Sequence, residues 1–409
     1  MRARLGADLS ASIFLLAMTS LWVGCPSSTA IEDDDIGRLE APPLTVDPGP
    51  EGTRPANGRL PTDVRPMHYR LALHIDPSED AGIVGEVSIR TQLDAPRRVI
   101  WMHGRRLEVL AATVTPVDGP PMEAAWTTQE DDDHFAKLTL PRALEGEVTI
   151  ALRFASPWGE ALGGIYRVSG PGGAQFAFSQ MEPLDARTAF PCFDEPRFKT
   201  PFDITIESRE DDVAIANSSA VAQEPGADGF FRNVFETTEP IPTYLFAVAV
   251  GPLDVVEAVI PPNEVRAEPL AFRGVAPRGD GPKLAYAMQH TPAILAALEQ
   301  WFGIAYPYDK LDLVAVPDFG AGAMENVGLV TFRSNLLLVN ETDTPTSRLR
   351  FFAYLMAHQL AHMLFCNFFS LEWSDDIWLY ESCVCYMYHS AAVPWRLAYG
   401  LASTTALTP

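Results

Sequence analysis

Positive charge is scarce in this chain. Its 30 Lys and Arg stand against 53 Asp and Glu, a net charge of −23, and so acidic a surface disfavours nucleic acid and anionic membranes as partners. Cysteine is sparse as well, five in 409 residues. An oxidising compartment permits disulfides, but sequence alone pairs none of Cys192, Cys366, Cys383 and Cys385. Same-helix neighbours such as Cys383 and Cys385 are poorly placed for each other, so buried thiols are the default reading. No internal repeat is visible. The uncharged apolar run at residues 11–23 is short for a membrane span.

That run follows Arg2 and Arg4 and has the length of a signal h-region, so residues 1–25 read as an export signal. Gly24 before Cys25 suggests a bacterial lipoprotein acylated on Cys25, with ordinary secretion as the alternative. The expected location is extracytoplasmic, at the cell envelope, with membrane contact only through that lipid. Residues 26–59 turn to Pro, Gly, Ser and acid, including Glu32-Asp33-Asp34-Asp35, and predict a solvated tether.

At 409 residues the chain exceeds the roughly 250–300 residues at which single cores stop growing, so at least two domains are expected. Period-two alternation dominates residues 60–255: Tyr69, Leu71, Leu73 and Ile75 share one side, as do Val148, Ile150, Leu152 and Phe154, and Phe202, Ile204 and Ile206. An antiparallel, sandwich-like β domain follows. After Gly251-Pro252 the pattern changes. Residues 283–302 have helical spacing, 311–316 and 329–332 read as strands around a Gly-rich loop, and 347–366 and 377–392 read as helices. Residues 256–409 thus form a mixed α+β domain.

Within the first of those last two helices stands His358-Gln359-Leu360-Ala361-His362, and Glu381 follows eighteen residues after His362. Histidines four apart on a helix point the same way and can share a metal ion, with Glu381 at the spacing of a third ligand. Two histidines alone are more often core residues than ligands. The full pattern is far more specific. A thiolate from Cys366 is disfavoured against a small buried thiol, because eight residues carry it about 12 Å along the axis from His358.

Four motifs stand in order around this pattern. They are Pro66 with His68-Tyr69-Arg70-Leu71; Gln180-Met181-Glu182-Pro183 through Phe190-Pro191-Cys192-Phe193-Asp194-Glu195-Pro196; Gly322-Ala323-Met324-Glu325-Asn326 after Pro317-Asp318-Phe319; and the histidine helix with Trp373, Asp375, Asp376 and Trp378. Over most of residues 60–390 the chain resembles the aminopeptidase N-like zinc metallopeptidases, a gluzincin family. The resemblance implies a β N-domain followed by the first part of a thermolysin-like catalytic domain. It also implies one zinc ion on His358, His362 and Glu381, and peptides with a free amino terminus as ligands. Glu182 and Glu325 inherit the hold on the α-amino group. Gln180 and the Gly322, Ala323, Met324 and Asn326 loop inherit the surroundings of the first residue. Independently, an ammonium buried at the end of a groove needs carboxylates around it. Asp376 is read as the acceptor that orients a ligating histidine, or else as a solvated helix start.

Gln359 departs from the family pattern. The usual glutamate takes a proton from the attacking water, and an amide cannot. Around it, His362-Met363-Leu364-Phe365-Cys366 replaces His-Gln-Trp-Phe-Gly, and Tyr380-Glu381-Ser382 replaces Asn-Glu-Gly. The catalytic domain is expected to be incomplete at Pro409, and no residue matches the family's oxyanion tyrosine. The resulting expectation is a site that binds better than it cuts. An active aminopeptidase with a substitute base and a metal-free peptide-binding scaffold are the rival readings. No feature of the sequence sets the oligomeric state.

Overall fold

The alternating strands bury one face each. In the computed structural model, which describes Pro55 and residues 58–128, 135–365, 367, 371–382 and 384, Tyr69, Leu71 and Leu73 of strand Val64–His74 are all but inaccessible. So are Val148, Ile150, Leu152 and Phe154 of Phe135–Ser156, and Phe202, Ile204 and Ile206 of Phe202–Arg209. A register shift between Pro66 and His68 resets the alternation, so that Tyr69 and its successors point inward. The export signal, Cys25, the tether, Cys366, Cys383, Cys385 and the end of the second predicted helix lie outside the described residues.

A nine-stranded sheet is built around Ile83–His103, which pairs antiparallel with Val64–His74 on one side and Phe135–Ser156 on the other. A second, four-stranded sheet carries Gln175–Gln180, and residues of both sheets share one hydrophobic cluster. The architecture is the expected mixed one, a β-rich part followed by the start of an α+β catalytic part. One pair departs from a wholly antiparallel first domain: Val64–His74 runs parallel to Phe202–Arg209. More than a hundred residues separate the two strands, including the whole of Gly164–Gln180, and so long a crossover removes the constraint that short hairpins impose. Near the end of this part a short 3-10 turn, Thr243–Leu245, is followed by strand Val248–Gly251.

In the second part a five-stranded sheet runs in the order Leu253–Ile260, Leu270–Pro277, Lys310–Val316, Leu329–Arg333, Ala323–Met324. Two helices, Ala285–Phe302 and Thr346–Leu364, lie together, with Tyr286 edge-on to Phe352 at 5.4 Å between ring centres and Phe302 stacked on Phe365 at 5.9 Å. The two parts are continuous inside, because Val314, Val316, Phe319, Met324, Val327 and Leu329 belong to the same buried cluster as the β-rich part. Asn217 fastens the junction: its amide donates to Leu245 O and Val327 O, and its oxygen accepts from Ala247 N. Beside it Gly328 has φ +67°, and a Cβ there would meet Asn217 O at 2.1 Å. This close approach fixes the end of the Gly322–Asn326 loop. Among the described residues no helix is long and apolar enough to cross a membrane.

Candidate metal centre

Helix Thr346–Leu364 buries an apolar face made of Phe352, Met356, Leu360 and Met363, which leaves His358 and His362 side by side on an adjacent stripe. Their Nε2 atoms are 3.0 Å apart. After the helix, the 3-10 turn Ser374–Asp376 leads into helical residues 377–382, which carry Glu381 back to the pair. Its Oε2 is 3.2 Å from His358 Nε2 and its Oε1 is 3.5 Å from His362 Nε2.

These donors fit one metal ion. Nitrogen and oxygen ligands each about 2.0–2.2 Å from zinc in a tetrahedral arrangement stand roughly 3.3–3.5 Å from one another. Two imidazoles and a carboxylate are an ordinary zinc donor set. Protonation agrees with it. Burial pushes His362 down to about 4, with Glu381 pulling the other way and His358 adding to the fall, so its ring is neutral at neutral pH. Burial alone would raise Glu381, but hydrogen bonds from His358 and His362 outweigh it and hold the group well below the usual carboxylate range.

Two further carboxylates converge here from different elements. Glu325 follows the short strand Ala323–Met324, whose pairing with Leu329–Arg333 turns it toward the histidine helix. Glu182 follows Gln175–Gln180, in the β-rich part. Burial raises Glu325 well above its ordinary value, with Glu182 and Glu381 adding to the rise. Burial and then Glu381 raise Glu182 to about 7. Among the described residues no Lys or Arg pairs with any of these three acids. Several buried polar atoms at the site also lack a hydrogen-bond partner among the described residues: Gln180 Oε1, Glu325 Oε1, Asn326 Oδ1, Gln359 Oε1 and His362 Nδ1. A cluster of acids and acceptors with no cation of its own is built for cations that arrive with a ligand or an ion.

The remaining candidates fall around this centre. Gln180 Nε2 lies 3.5 Å from Met324 Sδ, and Asn326 donates to Thr331 Oγ1. Gly322 O accepts from Arg333 N, which anchors the loop. Gln359 is nearly inaccessible and three residues before His362, on the same helix face. Asp376 is exposed at the 3-10 turn, whereas Glu325 lies on the outer nitrogen of His362, Oε1 to Nδ1 at 3.4 Å. Sequence reasoning had no role for Tyr380 or Asn367. The Tyr380 ring lies 4.9 Å from that of His362 and its hydroxyl donates to Asn367 Oδ1, while Asn367 O accepts from Lys199 Nζ. The one hint was that Tyr380 stands where the resembled family has asparagine.

Comparison with known proteins matches residues 65–245 to the Peptidase M1 N-terminal domain and residues 286–393 to the Peptidase family M1 domain. The chain belongs to peptidase family M1. Relatives in this family include the puromycin-sensitive aminopeptidase of Caenorhabditis elegans, 31% identical over 80% of this chain and 35% of its own length. Human glutamyl aminopeptidase is 32% identical over 87% of this chain and 37% of its own. Aminopeptidase M1-A of Oryza sativa subsp. japonica is 32% identical over 82% and 38%. The chain therefore spans between 35% and 40% of the length of the curated relatives it matches. Both matched segments contribute to the site, Glu182 from the first and Glu325, His358, His362 and Glu381 from the second.

Proposed function

We propose that this M1 chain holds one zinc ion on His358, His362 and Glu381, captures the free amino terminus of a peptide with Glu182 and Glu325, and hydrolyses the first peptide bond poorly because Gln359 occupies the position of the general base. The observation that carries this reading is the convergence of the three ligand atoms to within 4.8 Å of one another, with two more acids nearby that have no Lys or Arg partner among the described residues. Bound zinc would supply Lewis acidity toward the scissile carbonyl and the attacking water. The chain's own residues do the rest. An ammonium held between Glu182 and Glu325 sets the register at one residue from the metal, which restricts cleavage to the first bond. Gln180, resting on Met324, borders the place of the first side chain. The Gln359 amide can accept or donate a hydrogen bond but takes no proton near neutral pH, and removing a general base costs about 10²–10⁴ in rate. An envelope location, lipid-anchored through Cys25 or secreted, belongs to the same proposal and rests on the sequence alone.

Elemental analysis of the purified chain tests the metal: about one zinc per chain, lost in His358→Ala, is expected, and none in either protein favours a metal-free scaffold. Fluorogenic aminoacyl substrates test the chemistry. Chelator-sensitive turnover at rates ordinary for the family would refute the impairment.

A further inference from the structure

Glu325 stands where two demands meet. In the proposed reading its carboxylate receives the peptide's ammonium, yet its Oε1 is 3.4 Å from Nδ1 of His362. Both side chains are buried, at 4% and 0% exposure, and neither of these two atoms has any other hydrogen-bond partner among the described residues. A histidine that gives Nε2 to a metal carries its proton on Nδ1, and that N–H needs an acceptor. The surroundings offer few. Tyr380 presents its ring, and its hydroxyl is committed to Asn367. Glu381 faces Nε2, on the other side of the imidazole. Asp376 is exposed and takes part in no ion pair with His362 among the described residues. Glu325 remains. The separation is about 0.4 Å beyond the usual N–H···O distance, and the two atoms form no hydrogen bond as they stand; a small approach of the side chains would make one.

We propose that Glu325 is the positioning residue of His362: its Oε1 accepts the Nδ1 proton, fixes the tautomer that leaves Nε2 free for zinc, and sets the plane of the ring. This rests on the reading of His362 as a zinc ligand. A carboxylate can serve one partner on each oxygen, so the same residue would join the metal centre to the amino-terminus site. Zinc held by His362 would then orient the carboxylate that awaits the ammonium.

The test measures zinc dissociation constants by chelator competition, without peptide, on the full chain and on Glu325→Gln and Glu325→Leu. Gln keeps an acceptor oxygen and Leu does not. The expected result is a 10–100-fold loss for Leu and retention within a few fold for Gln, as for other partners of ligating histidines. A second readout needs no variant: nitrogen-15 imidazole spectra of the zinc-loaded chain should show His362 protonated at Nδ1, with that proton strongly deshielded by a carboxylate and protected from exchange. Zinc affinity in Glu325→Leu within twofold of wild type overturns the assignment, as does equal loss in both variants or a His362 with no protected Nδ1 proton. Wild-type chain that takes up no zinc overturns both this inference and the reading beneath it. Zinc uptake with an unaffected Leu variant sinks the inference alone.

Discussion

Asp194→Ala should be among the most destabilising single substitutions in the β-rich part. Asp194 is 1% exposed. Its Oδ2 accepts from Arg187 Nε at 2.8 Å, its Oδ1 accepts from Thr243 Oγ1 at 2.6 Å, its carbonyl accepts from Arg187, and its own N–H donates to His103 Nδ1. Arg187 is itself 4% exposed, so the substitution removes the carboxylate partner of a buried cation. Breaking such a pair from one side costs about 3–5 kcal/mol, and the orphaned Thr243 hydroxyl adds about 1 kcal/mol. With a urea m-value of about 3 kcal/mol/M, a loss of 4 kcal/mol lowers the unfolding midpoint by about 1.3 M. Urea titration followed by tryptophan fluorescence reads this directly. Replacing both partners, Arg187→Met with Asp194→Leu, should recover much of the loss, since no buried charge is left behind. Should Asp194→Ala lie within about 1 kcal/mol of wild type, the network contributes nothing beyond its packing and the reasoning fails. The Phe190–Pro196 segment is a structural knot, with the charges of Asp194 and Glu195 turned inward.

Gln359→Glu buries another acid on the helix that bears His358 and His362, so the metal-free variant should be less stable than wild type by about 1–3 kcal/mol and gain more from added zinc; equal zinc-induced shifts in calorimetry would contradict this. Gly328→Ala should cost at least about 2 kcal/mol, combining a left-handed backbone with a clash at Asn217 O; an unchanged melting temperature would exclude the close approach. Chelation should lower the melting temperature of the wild-type chain but leave His362→Ala unmoved; a chelator response surviving in that variant would place the metal elsewhere. For pH, His362 in the metal-free chain sits near 4 against an ordinary 6.5, so between those values the unfolded chain binds the extra proton. Its contribution, about 3 kcal/mol, is therefore present above pH 6.5 and lost as pH falls toward 4. His362→Gln should flatten the dependence of the urea midpoint on pH in that window, and identical slopes would refute the shift.

The histidine pair and the glutamine between them could be read from five consecutive letters, because a helix places i and i+4 on one face whatever surrounds it. The strand faces were legible for the same reason: Tyr69, Leu71 and Leu73 announce a period of two, and each of them is buried. Local periodicity says nothing of which strands meet. The parallel pairing of Val64–His74 with Phe202–Arg209 depends on a crossover of more than a hundred residues, and no pattern within either strand records it. The distant acids were named only through the motifs around them, as Glu182 and Glu325 each make an ordinary surface residue when taken singly. The acceptor for a ligating histidine was read at Asp376, near the third ligand in sequence, whereas the carboxylate that approaches the outer nitrogen of His362 belongs to Glu325, thirty-seven residues before it.

The amino-acid sequence by itself determined the chemistry available: two imidazoles in register, a carboxylate at ligand spacing, and an amide where proton transfer asks for an acid. Tertiary structure decided which carboxylates share a volume, and hence that Glu381 raises Glu182, that both of them raise Glu325, and that burial keeps His362 neutral. The physical reason is one of range. Helix and strand periods act over a few residues and are written in neighbouring side chains, whereas desolvation and charge–charge interaction depend on distances that exist only after chain segments far apart in sequence have closed on one another.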